Sequence, residues 1–280
     1  MLLVSLLFSS PASAAKVLIV GDIQYALVAD VAAEIKLSVR SQVAEYTTSA
    51  IRGRLGAIVE HEGAQVVVAL GVDALGEALR LPPSITVVYG LVTVPPRSGR
   101  TKVTGVYMSP PVGEYVSTVR RYLPGINRLF VLGSQEMIKS LTAGDSAHVS
   151  LHQVSTPAEL VNAAMRINDS GAFLLLPDAN LLTAQSMSSV YLHSFRKSIP
   201  VLGISEANVK QGSLFAFVFD PKTVSRQIGE KVQNILNGIE AGEIPASPPR
   251  RYNLFINSNT ARKMGINLPD EMLKKAKRVY

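Results

Sequence analysis

The chain has 280 residues, 47% of them hydrophobic, and a mean hydropathy of +0.23, which suffices for one large core or two of roughly 100–150 residues each and excludes a disordered chain. It contains no cysteine, which excludes disulfides, thiolate metal sites, thiol nucleophiles and a lipid anchor on cysteine. The net charge of +7 is scattered except at Arg250, Arg251 and residues 274–278, which we interpret as a solvated basic surface of a helix and not as a nucleic-acid site.

The first residues carry the features of an export signal. An uncharged apolar run at residues 2–8 is followed by Pro11 and the triplet Ala12, Ser13 and Ala14. The run is too short to span a bilayer, and small residues spaced two apart are typical of a cleavage site. We expect a signal peptide over residues 1–14, cleavage near Ala14, and a mature protein in the periplasm. The alternative is a protein that stays anchored by this segment if cleavage fails. No later segment reaches 18 apolar residues, so no other span is predicted.

Apolar strand patterns alternate with helical patterns along the chain. Strands are predicted at residues 16–21, 43–46, 65–70, 85–89 and 104–107, and helices at 26–40, 49–62, 73–79 and 112–123. Asp73 is the predicted N-cap of its helix. The alternation then restarts, with strands at 128–133, 148–152 and 173–176 and helices at 135–141 and 157–167. The two runs predict an α/β fold with parallel sheets and two similar lobes.

In the stretch 171–220, two predicted strands are each followed by a short polar segment that contains an acidic residue. The apolar run 173–176 ends before Asp178, and, after a predicted helix at 183–197, a strand at 199–203 ends before Glu206. A strand at 214–219 and a helix at 223–240 follow, and a last strand at 252–256 precedes two amphipathic segments. Ligands of parallel α/β sheets bind outside the carboxyl ends of the strands. Asp178 and Glu206 are therefore the first candidates for contact with a ligand.

The tail resembles the closing signature of the ABC transporter substrate-binding proteins of the tryptophan/tyrosine type. That pattern runs as an asparagine, two residues, Thr-Ala, then Leu-Gly, then a proline before a final helix, and the chain follows it with Asn257, Thr260, Ala261, Gly265 and Pro269. Further agreement in order and spacing comes from Thr104-Gly105-Val106, Tyr122-Leu123-Pro124, Ile199-Pro200-Val201 and residues 209–214, 228–229 and 235–245. The resemblance covers about residues 16–280.

The resemblance implies a type I periplasmic-binding-protein fold, in which two Rossmann-like lobes are joined by three crossovers and a ligand is enclosed in the cleft between them. Lobe 1 would take residues 15–107 and about 221–242, and lobe 2 residues 108–220 and about 243–280. The implied function is capture of a small solute and its delivery to the membrane permease of an ABC importer. The solute that we expect first is an amino acid or a related aromatic or carboxylate compound. We expect a monomer that is not an enzyme, uses no cofactor and binds no nucleic acid.

One departure from the family pattern lies after the fourth predicted strand. Family members commonly carry Val-Thr-Asp-Pro there, whereas this chain has Val92, Thr93, Val94 and Pro95, so the acid is missing. The first helical region is also shorter than usual. Both changes lie near the expected first-lobe wall of the cleft, which leaves open a ligand other than the family's aromatic amino acids.

A zwitterionic amino acid needs hydrogen-bond donors for its carboxylate and an acid for its ammonium group, because burying either charge unpaired is costly. Backbone N–H groups at a helix start are such donors, and Gly71 and Val72, with the hydroxyl of Thr93, are the candidates for the carboxylate. Tyr25 or Tyr107 would cover the apolar part of the ligand. An exposed aromatic residue near a hinge is the alternative interpretation of either tyrosine.

Asp178 and Glu206 are the candidates for the ammonium group. The alternative for Asp178 is a helix cap or the brace of a turn. The alternative for Glu206 is a solvated carboxylate in the first turn of a helix, where the helix dipole favours it. Asp22 and Gln24 lie on the same predicted rim with less support.

Other functional classes have little support in the sequence. His148 and His152 share one side of a predicted strand, but no third metal ligand lies nearby, so we interpret them as surface or packed histidines. There is no Gly-rich phosphate loop after the first strand and no Gly-x-Ser-x-Gly elbow, which disfavours a nucleotide-binding protein or a hydrolase. A ligand-sensing periplasmic protein that docks on a membrane receptor remains the alternative to a permease partner.

Overall fold

The computed structural model describes residues 16–142, 148–168 and 170–280, without the side chain of Lys16. The predicted signal peptide lies outside the described residues. The chain divides into two compact units. Unit 1 comprises the described residues up to Leu91, with Ser98–Gly105 and Ser225–Pro245, and unit 2 comprises Val92–Arg97, Val106–Val224 and Ala246–Tyr280.

Unit 1 is built on a parallel sheet. Its elements are β1 (Lys16–Gly21), α1 (Ala26–Ser38), β2 (Val43–Tyr46), α2 (Thr48–Ile51), α3 (Leu55–Glu62), β3 (Ala64–Leu70), α4 (Val72–Ala78), β4 (Thr86–Val92) and β5 (Val103–Tyr107). Within the described residues the sheet has five strands in the order β2-β1-β3-β4-β5. The pairs β1–β2, β1–β3 and β3–β4 are all parallel.

The strands of unit 1 are apolar along most of their length because both faces of a parallel sheet are covered. In β1, the side chains of Val17, Leu18 and Ile19 are completely buried. One of the covering helices comes from late in the chain. A Cβ atom at Gly90 in β4 would collide with Ile228, so the later part of α10 (Pro221–Leu236) packs directly on this sheet.

Unit 2 continues the alternation of strands and helices on a larger sheet. Its elements are α5 (Val112–Tyr122), β6 (Leu129–Gly133), α6 (Gln135–Leu141), β7 (Val149–Gln153), α7 (Pro157–Arg166), β8 (Ala172–Leu175), α8 (Ala184–Lys197), β9 (Val201–Gly203), α9 (Glu206–Gln211), β10 (Phe215–Phe219), β11 (Tyr252–Ile256), α11 (Ser258–Lys263), α12 (Asp270–Lys275) and β12 (Ala276–Val279). The described strands pair in the order β12-β11-β10-β9-β8-β6-β7, and β10–β11 is antiparallel while the other pairs are parallel.

Two apolar layers cover the faces of the unit 2 sheet. Phe173 and Leu174 are neighbours in β8 and belong to different layers, as the two-residue period of a strand requires. Leu174 packs in the layer that also holds Tyr115 and Phe215, and Phe173 packs in the layer that holds Val190. The α/β class with parallel sheets is therefore confirmed. Among the described helices, none is long and apolar enough to cross a membrane.

Three local predictions are wrong. The helix predicted at 49–62 is interrupted between α2 and α3, where Gly53 takes the left-handed backbone conformation with φ +68°. Asp73 lies in the first turn of α4, and the N-cap is Gly71. The basic segment at 274–278 is only partly helical, because the chain leaves α12 at Lys275 and continues as β12 beside β11.

Candidate functional site

The carboxyl ends of β1, β3 and β4 lie at one edge of the unit 1 sheet. The register pairs Gly21 with Leu70, and Leu70 with Gly90. The residues that follow these strands therefore meet at the same edge. This edge carries the predicted candidates Tyr25 and Gly71.

Three of the predicted ligand residues lie along this edge of unit 1. Gly71 is the N-cap of α4, with φ +98°, and its N–H donates to the carbonyl of Gly90 at 2.9 Å. The side chain of the next residue, Val72, is 68% exposed, and that of Tyr25 is 61% exposed. The structure thus exposes Tyr25 at the start of α1 and Val72 at the start of α4. Their contact with a ligand stays a prediction.

The carboxyl ends of β8, β9 and β10 form the corresponding edge of unit 2. The register aligns Leu174 with Leu202 and Gly203 with Ala216. Because these strands are parallel, the residues that follow them lie side by side. Asp178 and Glu206, predicted from the ends of two neighbouring strands, are both on this edge.

Asp178 braces the turn that it occupies. Its Oδ1 accepts a hydrogen bond from the backbone N–H of Asn180 at 3.0 Å, and its carbonyl accepts from Leu181 and Leu182. This is the alternative role considered for Asp178. Asp178 is only half-buried, so the turn does not remove the residue from solvent, and contact with a ligand stays a prediction.

Glu206 is the centre of a cluster of cations and a phenol. Its Oε1 lies 3.2 Å from Nζ of Lys210 and 3.3 Å from a guanidinium nitrogen of Arg278, and it accepts a hydrogen bond from the hydroxyl of Tyr280. The hydrogen bond from Tyr280, followed by that from Lys210, holds the pKa of Glu206 below its ordinary value. An ammonium group at this carboxylate would compete with these three partners.

Thr93 and Tyr107 both belong to unit 2. The carbonyl of Thr93 accepts a hydrogen bond from the N–H of Ser109 at 3.2 Å, and the N–H of Tyr107 donates to the carbonyl of Ser247 at 3.2 Å. The ring of Tyr107 is half-buried against the apolar layer of α5, and burial raises the pKa of its hydroxyl. The ligand roles of both side chains stay predictions.

An aromatic cluster that the sequence analysis missed lies at the same edge of unit 2. The ring centroid of Phe217 is 5.1 Å from that of Tyr115 and 6.0 Å from that of Tyr252. Tyr115 donates its hydroxyl to the carbonyl of Gly203 at 3.0 Å, at the carboxyl end of β9. The alternation of Phe215, Phe217 and Phe219 was the available signal, because it puts three rings on one face of β10.

The hydroxyl of Tyr252 differs from that of Tyr115 in its hydrogen bonding. It is shielded from solvent and has no hydrogen-bond partner among the described residues. Burial, then the nearby Tyr107, Glu114 and Tyr115, raise the pKa of this phenol. An unpaired buried hydroxyl costs about 1–3 kcal/mol, and native structures keep few of them.

Of the two histidines considered as a metal pair, His152 has packing partners. The ring of His152 lies 6.2 Å from that of Phe130, its Nε2 is 3.2 Å from the hydroxyl of Ser150, and burial lowers the pKa of the imidazole. His148 precedes β7. Within the described parts of the chain, no group of three or more His, Cys, Asp or Glu side chains could hold a metal ion.

Residues 84–280 match the sequence model of the ABC transporter substrate binding proteins. The chain belongs to this family. The match includes every element of unit 2 and therefore the edge that carries Asp178, Glu206 and the aromatic cluster. It also confirms the resemblance inferred from the closing signature of the sequence.

A curated relative and several solved structures resemble this substrate-binding protein. The relative is the tyrosine-binding protein of Clostridioides difficile, 22% identical over an alignment of 218 residues that covers 71% of this chain and 62% of the relative. A ligand-free, open substrate-binding protein with adhesive properties from Clostridium difficile aligns with a TM-score of 0.65 and 13% identity, over 95% of this chain and 99% of that one. A domain in complex with L-Trp from Streptococcus pneumonia aligns with a TM-score of 0.57 and 17% identity, over 96% and 100%. The likeness confirms the type I periplasmic-binding-protein fold.

The closing signature of this substrate-binding protein fixes α11 to unit 2. Asn257 is the N-cap of α11: its Oδ1 accepts from the N–H of Thr260 at 2.8 Å, and its Nδ2 donates to the carbonyl of Val209 at 2.7 Å. The hydroxyl of Thr260 donates to the carbonyl of Gly212 at 3.1 Å. Both side chains are buried. The signature therefore fixes the C-terminal segment to α9 and to Gly212, the glycine that follows α9.

Proposed function

We propose that this substrate-binding protein captures an amino acid with an aromatic side chain and delivers it to the membrane permease of an ABC importer. The family match supports the role of solute capture. The curated relative that is named for tyrosine, and the solved structure that contains L-Trp, support the class of solute. Export to the periplasm, with the signal peptide predicted at residues 1–14, is part of the same proposal.

The observation that carries this proposal is the chemistry of one sheet edge in unit 2. The half-buried residue Asp178 follows β8, and the aromatic cluster of Phe217 and Tyr252 lies at the end of β10. One strand, β9, separates them, which corresponds to about 10 Å across the sheet. This is comparable to the length of an aromatic amino acid, so Asp178 would pair with the ammonium group while the cluster receives the ring.

The remaining predicted contacts complete the proposed site. Gly71 and Val72, with Thr93, would serve the carboxylate of the solute, and Tyr25 or Tyr107 would cover its apolar part. We consider Glu206 a weaker candidate than Asp178 for binding the ammonium group. Its carboxylate already has two cationic partners and the hydroxyl of Tyr280, which an ammonium group would have to displace.

The test is calorimetric titration of the purified protein with L-tyrosine, L-tryptophan and L-phenylalanine, with ribose as a negative control. We expect binding of at least one of the amino acids. Asp178→Asn keeps an oxygen for the turn at Asn180 but removes the charge, and we expect it to weaken binding by tenfold or more. The matched control is Asp270→Asn, since Asp270 is exposed on α12.

Two results would contradict parts of this proposal. If none of the three amino acids binds, the proposed class of solute is wrong. If they bind equally well to the protein with Asp178→Asn, the ammonium group does not pair with Asp178. The partner is tested separately: genes for a permease and an ATPase next to the gene of this protein would support import, whereas a sensor kinase gene would support the receptor-docking alternative.

A further inference from the structure

The strand β7 forms one lateral edge of the unit 2 sheet, and among the described strands it pairs only with β6. Leu129 of β6 donates its N–H to the carbonyl of His148 at 2.9 Å, and Val154 donates its N–H to the carbonyl of Gly133 at 3.0 Å. Alternate residues of a parallel strand bond to the same neighbour. The even-numbered residues of this segment therefore bond to β6, and the odd-numbered residues direct their N–H and C=O groups to the open side. The residues of the open side are Val149, Leu151 and Gln153.

β7 lacks the features that commonly protect an edge strand from pairing, which are charged side chains, proline and bulges. Of the other edge strands in the described ranges, β2 carries Glu45, β12 carries Lys277 and Arg278, and β5 has the bridge between Val106 and Ser247 on its outer side. The sequence of β7, Val-Ser-Leu-His-Gln, contains no acid, lysine, arginine, proline or glycine. Its register with β6 is continuous. The backbone of β7 is therefore available to an incoming strand.

The open side of β7 is complementary to a second copy of itself. Leu151 is the central residue of the strand, and its side chain is 51% exposed. If a second β7 runs antiparallel about a two-fold axis at Leu151, that residue exchanges a pair of backbone hydrogen bonds with its own copy. Val149 then exchanges a pair with Gln153 of the second copy, and Gln153 with Val149. Every N–H and C=O group on the open side would be paired in this register.

We infer that β7 pairs with β7 of a second copy of this chain, antiparallel and centred on Leu151, so that two copies form a symmetric dimer with a continuous sheet. A two-fold interface needs a surface that is complementary to itself. This strand meets the requirement, because the pairing brings leucine against leucine and opposes no like charges. The dimer differs from the monomer that the family resemblance implies.

The helices that contact these strands, α6 and α7, fit the same symmetry. The two-fold axis of such a strand pair is perpendicular to the sheet, so each helix would face its own copy, which runs in the opposite direction. On α7, exposed Glu159 is in the first turn and exposed Arg166 is the last residue. The acidic start of one α7 would therefore oppose the basic end of the other. On α6, Glu136 and Lys139 provide exposed charges of both signs.

The inference goes beyond the proposed function and does not depend on it. In the sheet order, β6 separates β7 from β8, the strand that precedes Asp178. A change in β7 therefore leaves the proposed solute contacts in place. Calorimetric titration with the aromatic amino acids tests the solute, whereas the measurements on β7 need no solute, so either proposal can fail while the other stands.

The first test is sedimentation velocity of the purified protein over a range of concentrations. We expect a dimer whose fraction rises with concentration. Leu151→Lys places two like charges directly opposite each other at the centre of the strand pair, and we expect it to raise the dissociation constant of the dimer by roughly tenfold or more. The matched control is Leu192→Lys on α8, since Leu192 is 53% exposed. It should change the dissociation constant by less than about twofold.

Hydrogen exchange of the unmodified protein tests the strand without any substitution. The N–H groups of Val149, Leu151 and Gln153 should exchange rapidly at concentrations where the protein is a monomer and slowly where it is a dimer. The N–H groups of Ser150 and His152 are bonded to β6 and should exchange slowly at both concentrations. They are the internal control for the folding of the strand.

Three results would overturn the inference. The first is a protein that stays monomeric at the highest concentration measured, including one whose β7 becomes protected only when a different protein is added. The second is an equal dissociation constant for Leu151→Lys and Leu192→Lys, which would show that the dimer uses another surface. The third is slow exchange of the Leu151 N–H in the monomer, which would show that the edge is already covered within one chain. Loss of the dimer in Leu151→Lys alone, together with protection of the three open-side N–H groups in the unmodified dimer, supports the pairing.

Discussion

Replacing Asn257 by alanine should destabilise unit 2 without touching the proposed solute edge. The substitution removes the N-cap of α11, worth about 1 kcal/mol. It also removes the side-chain hydrogen bond to the carbonyl of Val209, worth about 0.5–1.5 kcal/mol, because that carbonyl still accepts from the N–H of Gly212 at 3.2 Å. Both bonds are short, at 2.8 Å to the N–H of Thr260 and 2.7 Å to Val209. We therefore expect a loss of about 1.5–2.5 kcal/mol in the free energy of unfolding.

Urea denaturation followed by circular dichroism measures this loss through the transition that involves unit 2. The matched control is Asn259→Ala, two residues further along α11, where the side chain is exposed and accepts a hydrogen bond from Arg262 at 3.2 Å. We expect the control to change the free energy of unfolding by less than about 0.5 kcal/mol. If Asn257→Ala is as mild as the control, the closing signature does not act by anchoring α11, and another reason for its pattern is needed.

Two further substitutions test contacts within single units. Arg100→Met removes a guanidinium that donates to four backbone carbonyls, those of Leu79, Leu81, Pro82 and Ile85. Thermal denaturation should therefore show a loss of about 2–4 kcal/mol in the free energy of unfolding. Arg100→Lys should restore only part of this free energy, because an ammonium group lacks the planar arrangement of donors of a guanidinium. Glu206→Gln should lower stability at pH 7 but not in acid. The pKa of Glu206 is lowered by folding, so its contribution is present above its ordinary value of 4.5 and is lost as the pH falls through the folded pKa. A difference between Glu206→Gln and the unmodified protein that persists at pH 2 would contradict this.

The sequence was sufficient wherever one local pattern decides the structure. β1 and β2 begin and end at the predicted residues. For β1 the reason is local, because a short run of buried aliphatic side chains bounded by polar residues leaves few alternatives. The edge position of Asp178 followed from the same logic. β12 could not be predicted in this way, since Lys277 and Arg278 break the apolar pattern and the strand exists only because β11 offers it a pairing partner.

The partners of candidate side chains were the least predictable part. Lys210 is four residues from Glu206 on α9, so that ion pair follows from helix geometry. Tyr280 reaches the same carboxylate from the far end of the chain, and no local pattern encodes such a contact. The unpaired hydroxyl of Tyr252 could not be foreseen either, because pairing depends on every neighbour of the atom in the folded structure and not on the residues beside it in sequence.

The way in which the chain is shared between the two units has a consequence for how the protein folds. When the chain has been made as far as Tyr107, the strands β1–β5 have been synthesised, but Ile228, which covers β4 at Gly90, has not. Unit 1 must therefore wait for residues that come after most of unit 2. Such long-range contacts close large loops and slow folding. The nascent chain should thus stay incompletely folded, with apolar strands exposed, until nearly all of it is available.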